Sequence, residues 1–356
     1  MNWPTPRFGS LGTGDESYDR TSASSILEKR TREILMTRAI KAITLPKNSG
    51  RMSVVETSEP RAKSGQILIE VKTSAINEMD VEVREGGWKR YVGKYRKQGR
   101  TLTGFEFAGV ARSAGTRIRE GQRVIGYVHV TNGPRTHADM VVVNENCVHV
   151  IPDDLSLEDA AAIVSMGLAA IDVFERLKPL EAQQHVLING AAGGLGVYSV
   201  QMAKSQGAEV TAVCSEKNAE WMKTMGADHV RAYEHEDALR SGDQFDLILD
   251  VAQKLSFSRC RSALTPSGMY VATNPLADLW GFVRALASRR KAGFMLVLQT
   301  DPTKLGHLLE LVEKKILRPV IDSRFPMDQI NEAMDKFARS GKQGRVLLEF
   351  HKEVES

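Results

Sequence analysis

Short apolar runs broken by turn residues occupy the first part of the chain. Between Arg38 and Val150 they recur at Ala39–Leu45, Ile67–Val71, Phe107–Val110, Arg123–Val128 and Met140–Val143. Between them stand Pro46, Lys63-Ser64-Gly65, Gly86-Gly87, Gly115 and Asn132-Gly133-Pro134. Many short runs with Gly and Pro punctuation predict a barrel-like β domain. The rhythm changes after Pro152-Asp153-Asp154. Leu157, Ala160, Ala161 and Val164 fall at helical spacing and predict a helix over Ser156–Val164. From His185 onward strands and helices alternate: strand Val186–Ile188, helix Gly194–Ser205, strand Val210–Val213, then helix Ala219–Met225 closed by Gly226. Phe245–Leu249, Met269–Ala272 and Met295–Leu298 continue the strands. Such alternation means βαβ units and a parallel sheet. The end of the chain predicts helices Lys304–Lys315 and Asp328–Arg339 and a strand Arg345–Phe350.

Two stretches fit neither rhythm. Leu279–Ala292 joins Trp280, Phe282 and Val283 to Arg284, Arg289, Arg290 and Lys291, and reads as an amphipathic helix. Its basic side faces solvent in the simplest reading, with an acidic partner or a membrane surface as alternatives. Residues 1–36 are rich in Ser, Thr, Gly and Arg and poor in aliphatics, and read as a flexible extension with a short helix over Ser25–Met36. Asp15, Glu16, Asp19, Glu28 and Glu33 balance its basic residues, whereas mitochondrial transit peptides are poor in acids. A cytoplasmic location is therefore expected, with a mitochondrial one as the alternative.

Composition narrows the class. With 356 residues and 42% hydrophobic content, the chain is long enough for two cores. A net charge of +4 over that length favours anionic ligands only weakly and does not point to nucleic acid. Three scattered cysteines, Cys147, Cys214 and Cys260, build neither a disulfide framework nor a structural zinc site. No apolar run approaches the ~18 residues a membrane span needs.

Asn189-Gly190-Ala191-Ala192-Gly193-Gly194-Leu195-Gly196 lies between the predicted strand at Val186 and the helix through Val197, Val200 and Ala203. Glycine there permits a tight turn and close backbone approach, and the helix N-terminus offers unpaired N–H groups to a pyrophosphate. In that strand–turn–helix context the motif is a strong dinucleotide signal. About 20 positions on, an acid would bind the ribose 2′-hydroxyl and repel a 2′-phosphate. Here the second strand ends Val213-Cys214-Ser215-Glu216-Lys217-Asn218. Ser215 and Lys217 suit a phosphate and the acid is displaced to Glu216, so NADPH is expected over NADH.

Several further segments stand in a telling order. They are Asn77-Glu78-Met79-Asp80, Gly104-Phe105-Glu106-Phe107-Ala108-Gly109, Gly121-Gln122-Arg123-Val124 and Gly344-Arg345-Val346-Leu347-Leu348. With the glycine loop and Trp221–Val230, they make the chain after Met36 resemble the zinc-free, quinone-oxidoreductase-like branch of the medium-chain dehydrogenase/reductase family. That resemblance implies an α/β architecture. A GroES-like β-barrel catalytic domain (37–158 and 318–356) is split in sequence by an inserted Rossmann doubly wound parallel sheet (159–317). It implies a homodimer, and a cleft between the domains where nicotinamide and substrate meet. It extends the cofactor site from the loop, Ser215, Lys217 and Asn218 to Asp250, Asn274 and Arg345. The related zinc alcohol dehydrogenases need Cys at the position of Asn77 and His at that of Phe105. Asn and Phe cannot replace them, so no metal site is expected and Glu106 reads as a structural carboxylate.

Without a Lewis acid, the expected acceptors are those with a low barrier to hydride, quinones and α,β-unsaturated carbonyls. Asn77 is the first candidate for the active centre, as a partner of the nicotinamide ribose or the substrate oxygen. Asp80 is a second, with helix capping as its plainer role. In the basic loop that follows, Trp88, Tyr91 and Tyr95 are available, and Tyr91 is a candidate proton donor. Two departures from the family stand out: Ala169 and Ile171 in place of Thr and Tyr, and Ala252 in place of Gly. Three functional readings remain open. One is an NADPH-dependent quinone or enone reductase; another is an enoyl reductase acting on thioesters presented by an acidic acyl-carrier partner; the third is a non-catalytic NADPH-binding regulatory or RNA-binding protein on the same scaffold.

Overall fold

Buried and half-buried positions alternate from Gln66 to Thr73 and the end is fully buried, which makes Gln66–Ala75 the longest described strand, and three others pair with it. The computed structural model describes residues 38–87, 92–95, 99–274, 278–295 and 300–350. In its first part the strands are β1 (Ala39–Pro46), β2 (Ser53–Ser58), β3 (Gln66–Ala75), β4 (Arg100–Leu102), β5 (Glu106–Ala111), β6 (Arg123–Tyr127), β7 (Met140–Asn144) and β8 (Val148–Val150). The parallel-sheet segment supplies β9 (His185–Asn189), β10 (Glu209–Cys214), β11 (His229–Ala232), β12 (Phe245–Asp250), β13 (Leu264–Ala272) and β14 (Lys291–Phe294). The last two are β15 (Ile321–Pro326) and β16 (Arg345–Glu349).

A 7-stranded sheet runs β15-β16-β3-β5-β6-β8 with β7 added on β3, and a 3-stranded sheet runs β2-β1-β4. The C-terminal strand therefore pairs with the early part of the chain: Leu347 faces Ala75 and Glu349 faces Thr73. Gly109 is required where β5 crosses β3, because a Cβ there would lie 2.1 Å from the Glu70 carbonyl oxygen.

The other sheet has 6 strands in the order β11-β10-β9-β12-β13-β14, every pair parallel. The chain runs outward from β9 to one edge, returns, and runs to the other. This is the order of a doubly wound dinucleotide-binding sheet, whose ligand crevice opens where the direction reverses, here between β9 and β12. Both faces are covered. Val186, Ile188, Leu247 and Leu249 join one core with Ile163 and Val200, while Leu187 and Ile248 join a second with Phe257 and Ala285. Among the described residues no helix is long and apolar enough to cross a membrane.

Several elements differ from expectation, each for a tertiary reason. Asn77 opens a helix, α1 (Glu78–Arg84), rather than a loop, because its side chain and that of Asp80 cap it reciprocally. The helix expected to end at Val164 continues as α2 (Leu157–Ile171) and a π-helical turn, Asp172–Leu177, since the 7-stranded sheet and the helices Gly194–Ser205 and Pro302–Glu313 bury its apolar faces. The amphipathic helix is Leu279–Leu286 only. The following Lys291–Phe294 is drawn into the sheet beside Met269–Ala272, immediately before the strand expected at Met295–Leu298. Residues 296–299, and the helix expected at Ser25–Met36, lie outside the described residues.

Between β7 and β8, Glu145 is buried and its carboxylate accepts from the N–H groups of Thr116, Arg117 and Ile118 at 2.6–3.1 Å and from the Thr116 hydroxyl at 2.7 Å. Against burial, which would raise it, these donors hold the carboxyl at about 2. A carboxyl held below its unfolded value stabilises the fold fully above that value and loses the contribution as pH falls through the folded one. Glu145→Gln is therefore expected to lower Tm by roughly 3–8 °C at pH 7. The gap to the unsubstituted chain should close as pH falls from 4.5 toward about 2, checked by calorimetry across that range.

Candidate active site

β9 ends at Asn189, whose side-chain amide donates to Asp250 at 2.8 Å across the reversal point. The chain then turns at Gly190, which has φ 88°, and its N–H and that of Ala191 both donate to the Val213 carbonyl at 3.0 Å. Gly196 sits so close beneath the turn that a Cβ would lie 2.2 Å from the Gly190 oxygen. Gly193, by contrast, has nothing nearer than 3.5 Å to such a carbon. It starts α3 (Gly194–Ser205) without a side-chain cap, so no capping side chain takes up the first N–H groups of the helix, and Arg345 lies close over Gly194. The Gly344 N–H donates to the Ala192 carbonyl at 3.0 Å, which clamps the turn from the C-terminal segment.

This turn forms one wall of a cavity of about 420 Å³. Gly190, Ala192, Gly193, Gly194 and Leu195 line it, while Ala191 and Gly196 do not and act from behind the turn. At the end of β10, Ser215 and Asn218 also line it, and the buried Ser215 hydroxyl has no hydrogen-bond partner. Asn218 is held by Gln343, which donates at 3.0 Å. Lys217 does not line the cavity but lies against Gly341, which does: a Cβ there would come within 2.5 Å of its ammonium nitrogen. Glu216 is turned away and pairs with His235 at 3.0 Å. Asp250 lies beneath the turn, accepting from Asn189 and from the Leu255 N–H at 2.7 Å, and Asn274 is not among the lining residues. Val251 and Ala252 line the cavity beside Gly190.

The centre of the cleft is a closed polar cluster. The Asn77 amide donates to the Ser165 hydroxyl at 3.0 Å and to Glu106 at 3.4 Å, and its oxygen accepts from the Met79 N–H. Glu106 also accepts from the N–H of Ser165 at 2.8 Å, from its hydroxyl at 2.7 Å, and from the Arg345 guanidinium. Glu106 and Arg345 are both buried, a charge pair that burial permits only because each has its partner. Burial pushes the Glu106 carboxyl up from its ordinary range, while Arg345 and Ser165 pull against it. Arg345 lines the cavity, and its Nε has no partner.

Asn77 thus lines the cleft as expected, but both its N–H bonds are engaged by protein, which removes it as a donor to a substrate oxygen. Asp80 does not line the cleft. One of its oxygens accepts from the Asn77 N–H and the other from the Gly104 N–H, each at 3.0 Å, so it fixes α1 against β5. Burial pushes Asp80 up to about 7, against those two N–H groups and Arg345. Trp88 and Tyr91 lie outside the described residues. The Tyr95 hydroxyl donates to the Thr131 carbonyl.

Among the lining residues that sequence reasoning missed are Tyr127, His129, Ser165 and Lys342. A lone serine inside the apolar run Ile163–Met166 was the available signal for one of them. Lys342 stands 4.8 Å over the Phe337 ring, and burial lowers its pKa, partly countered by Glu78. The polar groups of this cavity fit an anionic dinucleotide: the open N–H groups of Gly194 and Leu195, the unpartnered Ser215 hydroxyl, and Lys342 and Arg345 beside them.

Comparison with known proteins agrees with this geometry. A family model described as the alcohol dehydrogenase GroES-like domain matches residues 63–153, and one described as zinc-binding dehydrogenase matches 225–348. A quinone-oxidoreductase homolog, chloroplastic, of Spinacia oleracea is 25% identical over 310 residues, 83% of this chain and 93% of that protein. The mitochondrial NAD(P)H oxidoreductase RTN4IP1 of Mus musculus is 28% identical, covering 80% of this chain and 81% of its own. A trans-enoyl reductase of Aspergillus terreus is 26% identical, covering 80% and 86%. The solved structure of the quinone oxidoreductase from Coxiella burnetii superposes with a TM-score of 0.79 at 22% identity, covering 88% of this chain and 100% of that one.

Removing one member of the buried pair leaves the other charge uncompensated. Arg345→Met is expected to cost about 3–5 kcal/mol of unfolding free energy, and adding Glu106→Gln in the same chain to recover most of it. Urea unfolding of the single and double variants checks both values.

Proposed function

Because the chain belongs to the medium-chain dehydrogenase/reductase family, in its quinone-oxidoreductase-like branch, we propose that it is a zinc-independent reductase that uses NADPH to reduce a quinone or an α,β-unsaturated carbonyl. It is an NAD(P)H oxidoreductase with a GroES-like domain and a Rossmann sheet. The observation that carries the reading is the uncapped start of α3 opening on the same cavity as Ser215, Lys342 and Arg345.

The residues divide the work. The amides of Gly194 and Leu195 and the α3 dipole receive the diphosphate. Ser215, with Lys217 behind Gly341, receives the 2′-phosphate, and Glu216 is held off by His235. When bound, the dihydronicotinamide supplies a hydride, and the chain positions the acceptor and limits water. Asn77 orients and stiffens the cleft through Ser165 and Glu106.

The residues do not fit a catalytic zinc. An amide, Asn77, and a fully buried ring, Phe105, stand at the two ligand positions, and Glu106 is taken up by Arg345 and Ser165. The acceptor must therefore already carry a low-lying site for hydride, as quinones and enones do. The relatives named quinone oxidoreductases and the trans-enoyl reductase support that class, the latter extending it to enoyl thioesters. A homodimer belongs to the same reading. Strand β14 is bonded to β13 alone among the described strands, and Trp280 (74% exposed) and Leu286 (88% exposed) stand open on the neighbouring helix, an edge and apolar face that a second copy would cover.

In steady-state assays with 1,4-naphthoquinone, kcat/KM for NADPH is expected to exceed that for NADH by about 10–100-fold, and Lys217→Glu to abolish or reverse the preference, as loss of one charge-assisted contact to phosphate requires. Equal use of both coenzymes would refute the NADPH assignment. Coenzyme binding without turnover on quinones, enones or acyl-thioesters would refute the reductase.

A further inference from the structure

Hydride delivered to a carbon conjugated with a carbonyl breaks the intervening π bond and leaves its electron pair on the carbonyl oxygen. The nicotinamide is oxidised, the acceptor is reduced, and a proton from water completes the product. A dry cleft needs fixed hydrogen-bond donors where that negative charge appears. The polar centre does not supply them. Both N–H bonds of Asn77, the Ser165 hydroxyl and the nearer guanidinium nitrogen of Arg345 all point into Glu106 or its partners.

Two other lining side chains each keep a polar atom without a protein partner among the described residues. Tyr127 is the last residue of β6, and His129 follows two positions on with extended backbone, φ −65° and ψ 150°. Residues i and i+2 of an extended segment share a face, which brings both side chains to the same wall. They are 2% and 6% exposed. His129 caps the turn Val130–Asn132: the Thr131 N–H donates to its Nδ1 at 3.3 Å, with the Thr131 hydroxyl at 2.9 Å. An Nδ1 that accepts from a backbone amide carries no proton, so the neutral ring holds its proton on Nε2. Neither Nε2 nor the Tyr127 hydroxyl has a hydrogen-bond partner among the described residues.

We infer that Tyr127 and His129 form the donor pair that takes the acceptor's carbonyl oxygen, with the Tyr127 O–H and the His129 Nε2–H both directed at the charge left by hydride addition. The inference rests on the reductase reading above. Two electrostatic effects suit the role. Burial lowers the His129 pKa, which keeps the ring neutral at pH 7 with Thr131 on one nitrogen and a donor on the other. Burial, with the carboxylates of Glu106 and Asp80, raises the Tyr127 phenol, so it remains a donor. The pair stabilises charge and need not transfer its own protons.

The test uses two structure-sparing variants. Tyr127→Phe removes only a hydroxyl. His129→Asn keeps a good N-cap for the turn but is too short to replace Nε2–H. The first readout is binding rather than turnover: 4-nitrophenol titrated into the NADP+-saturated protein and followed by absorbance. The wild type is expected to lower the apparent pKa of the bound phenol by about 1–2 units, and each variant to lose most of that shift. The second readout is single-turnover NADPH oxidation by an enone, expected to fall roughly 10–1000-fold in each variant while the Kd for NADPH stays within about twofold. Absence of the phenol shift in the wild type, or variants that match it in either readout, would overturn the donor pair alone. A wild type that shifts the phenol but oxidises NADPH with no acceptor would overturn the reductase reading, and the assignment with it.

Discussion

A buried arginine set against a buried glutamate organises this cleft. Arg345 opens the last strand, Glu106 opens β5, and Ser165 on α2 and Asn77 at the head of α1 complete the carboxylate's shell. Two charges withdrawn from water hold only when each finds the other and the remaining lone pairs find donors. That requirement brings four elements, drawn from positions 77 to 345, to one point. The residue before Arg345, Gly344, clamps the carbonyl of Ala192. The coenzyme turn and the barrel are thereby held in one frame, and the cavity between them inherits its shape from a single ion pair.

On the zinc-independent reading proposed above, the same pair does the organising. Where a zinc ion would gather protein ligands, this chain gathers hydrogen bonds around a carboxylate and satisfies it with a guanidinium. The cluster is self-contained, so it orients the cleft without offering a donor to the acceptor. The electrostatic task passes to the adjoining wall, where β6 runs out into Tyr127 and His129. One part of the site supplies rigidity and another supplies a place for charge.

Much of the parallel sheet was legible beforehand. Alternating apolar runs and helical spacing between His185 and Ala272 placed most of its elements, because each buries its own faces locally. The glycine turn was legible for the same reason: Gly196 answers a steric demand from Gly190 and Ala191, and Gly190 takes the positive φ of its own turn. Less was legible where a partner far along the chain decides the outcome. The extent of α2 depends on the sheet and helices packed around it, and Lys291–Phe294 becomes a strand because Met269–Ala272 offers it an edge. Asp80 carried the same residue type whether acid or cap, and only the N–H of Gly104 distinguishes them.

The amino-acid sequence alone determined the family resemblance, the glycine-rich strand–turn–helix, and the presence of Asn77 and Phe105 where zinc relatives carry ligands. Those properties reside in residue identity and short-range spacing. Tertiary structure decided which polar groups are engaged and which are free: that Asn77 is fully occupied, that Glu216 turns away to His235, and that Ser165 and Lys342 reach the cleft. The reason is that a hydrogen bond or ion pair has two ends. A sequence shows each end separately, and only the folded chain shows which ends meet.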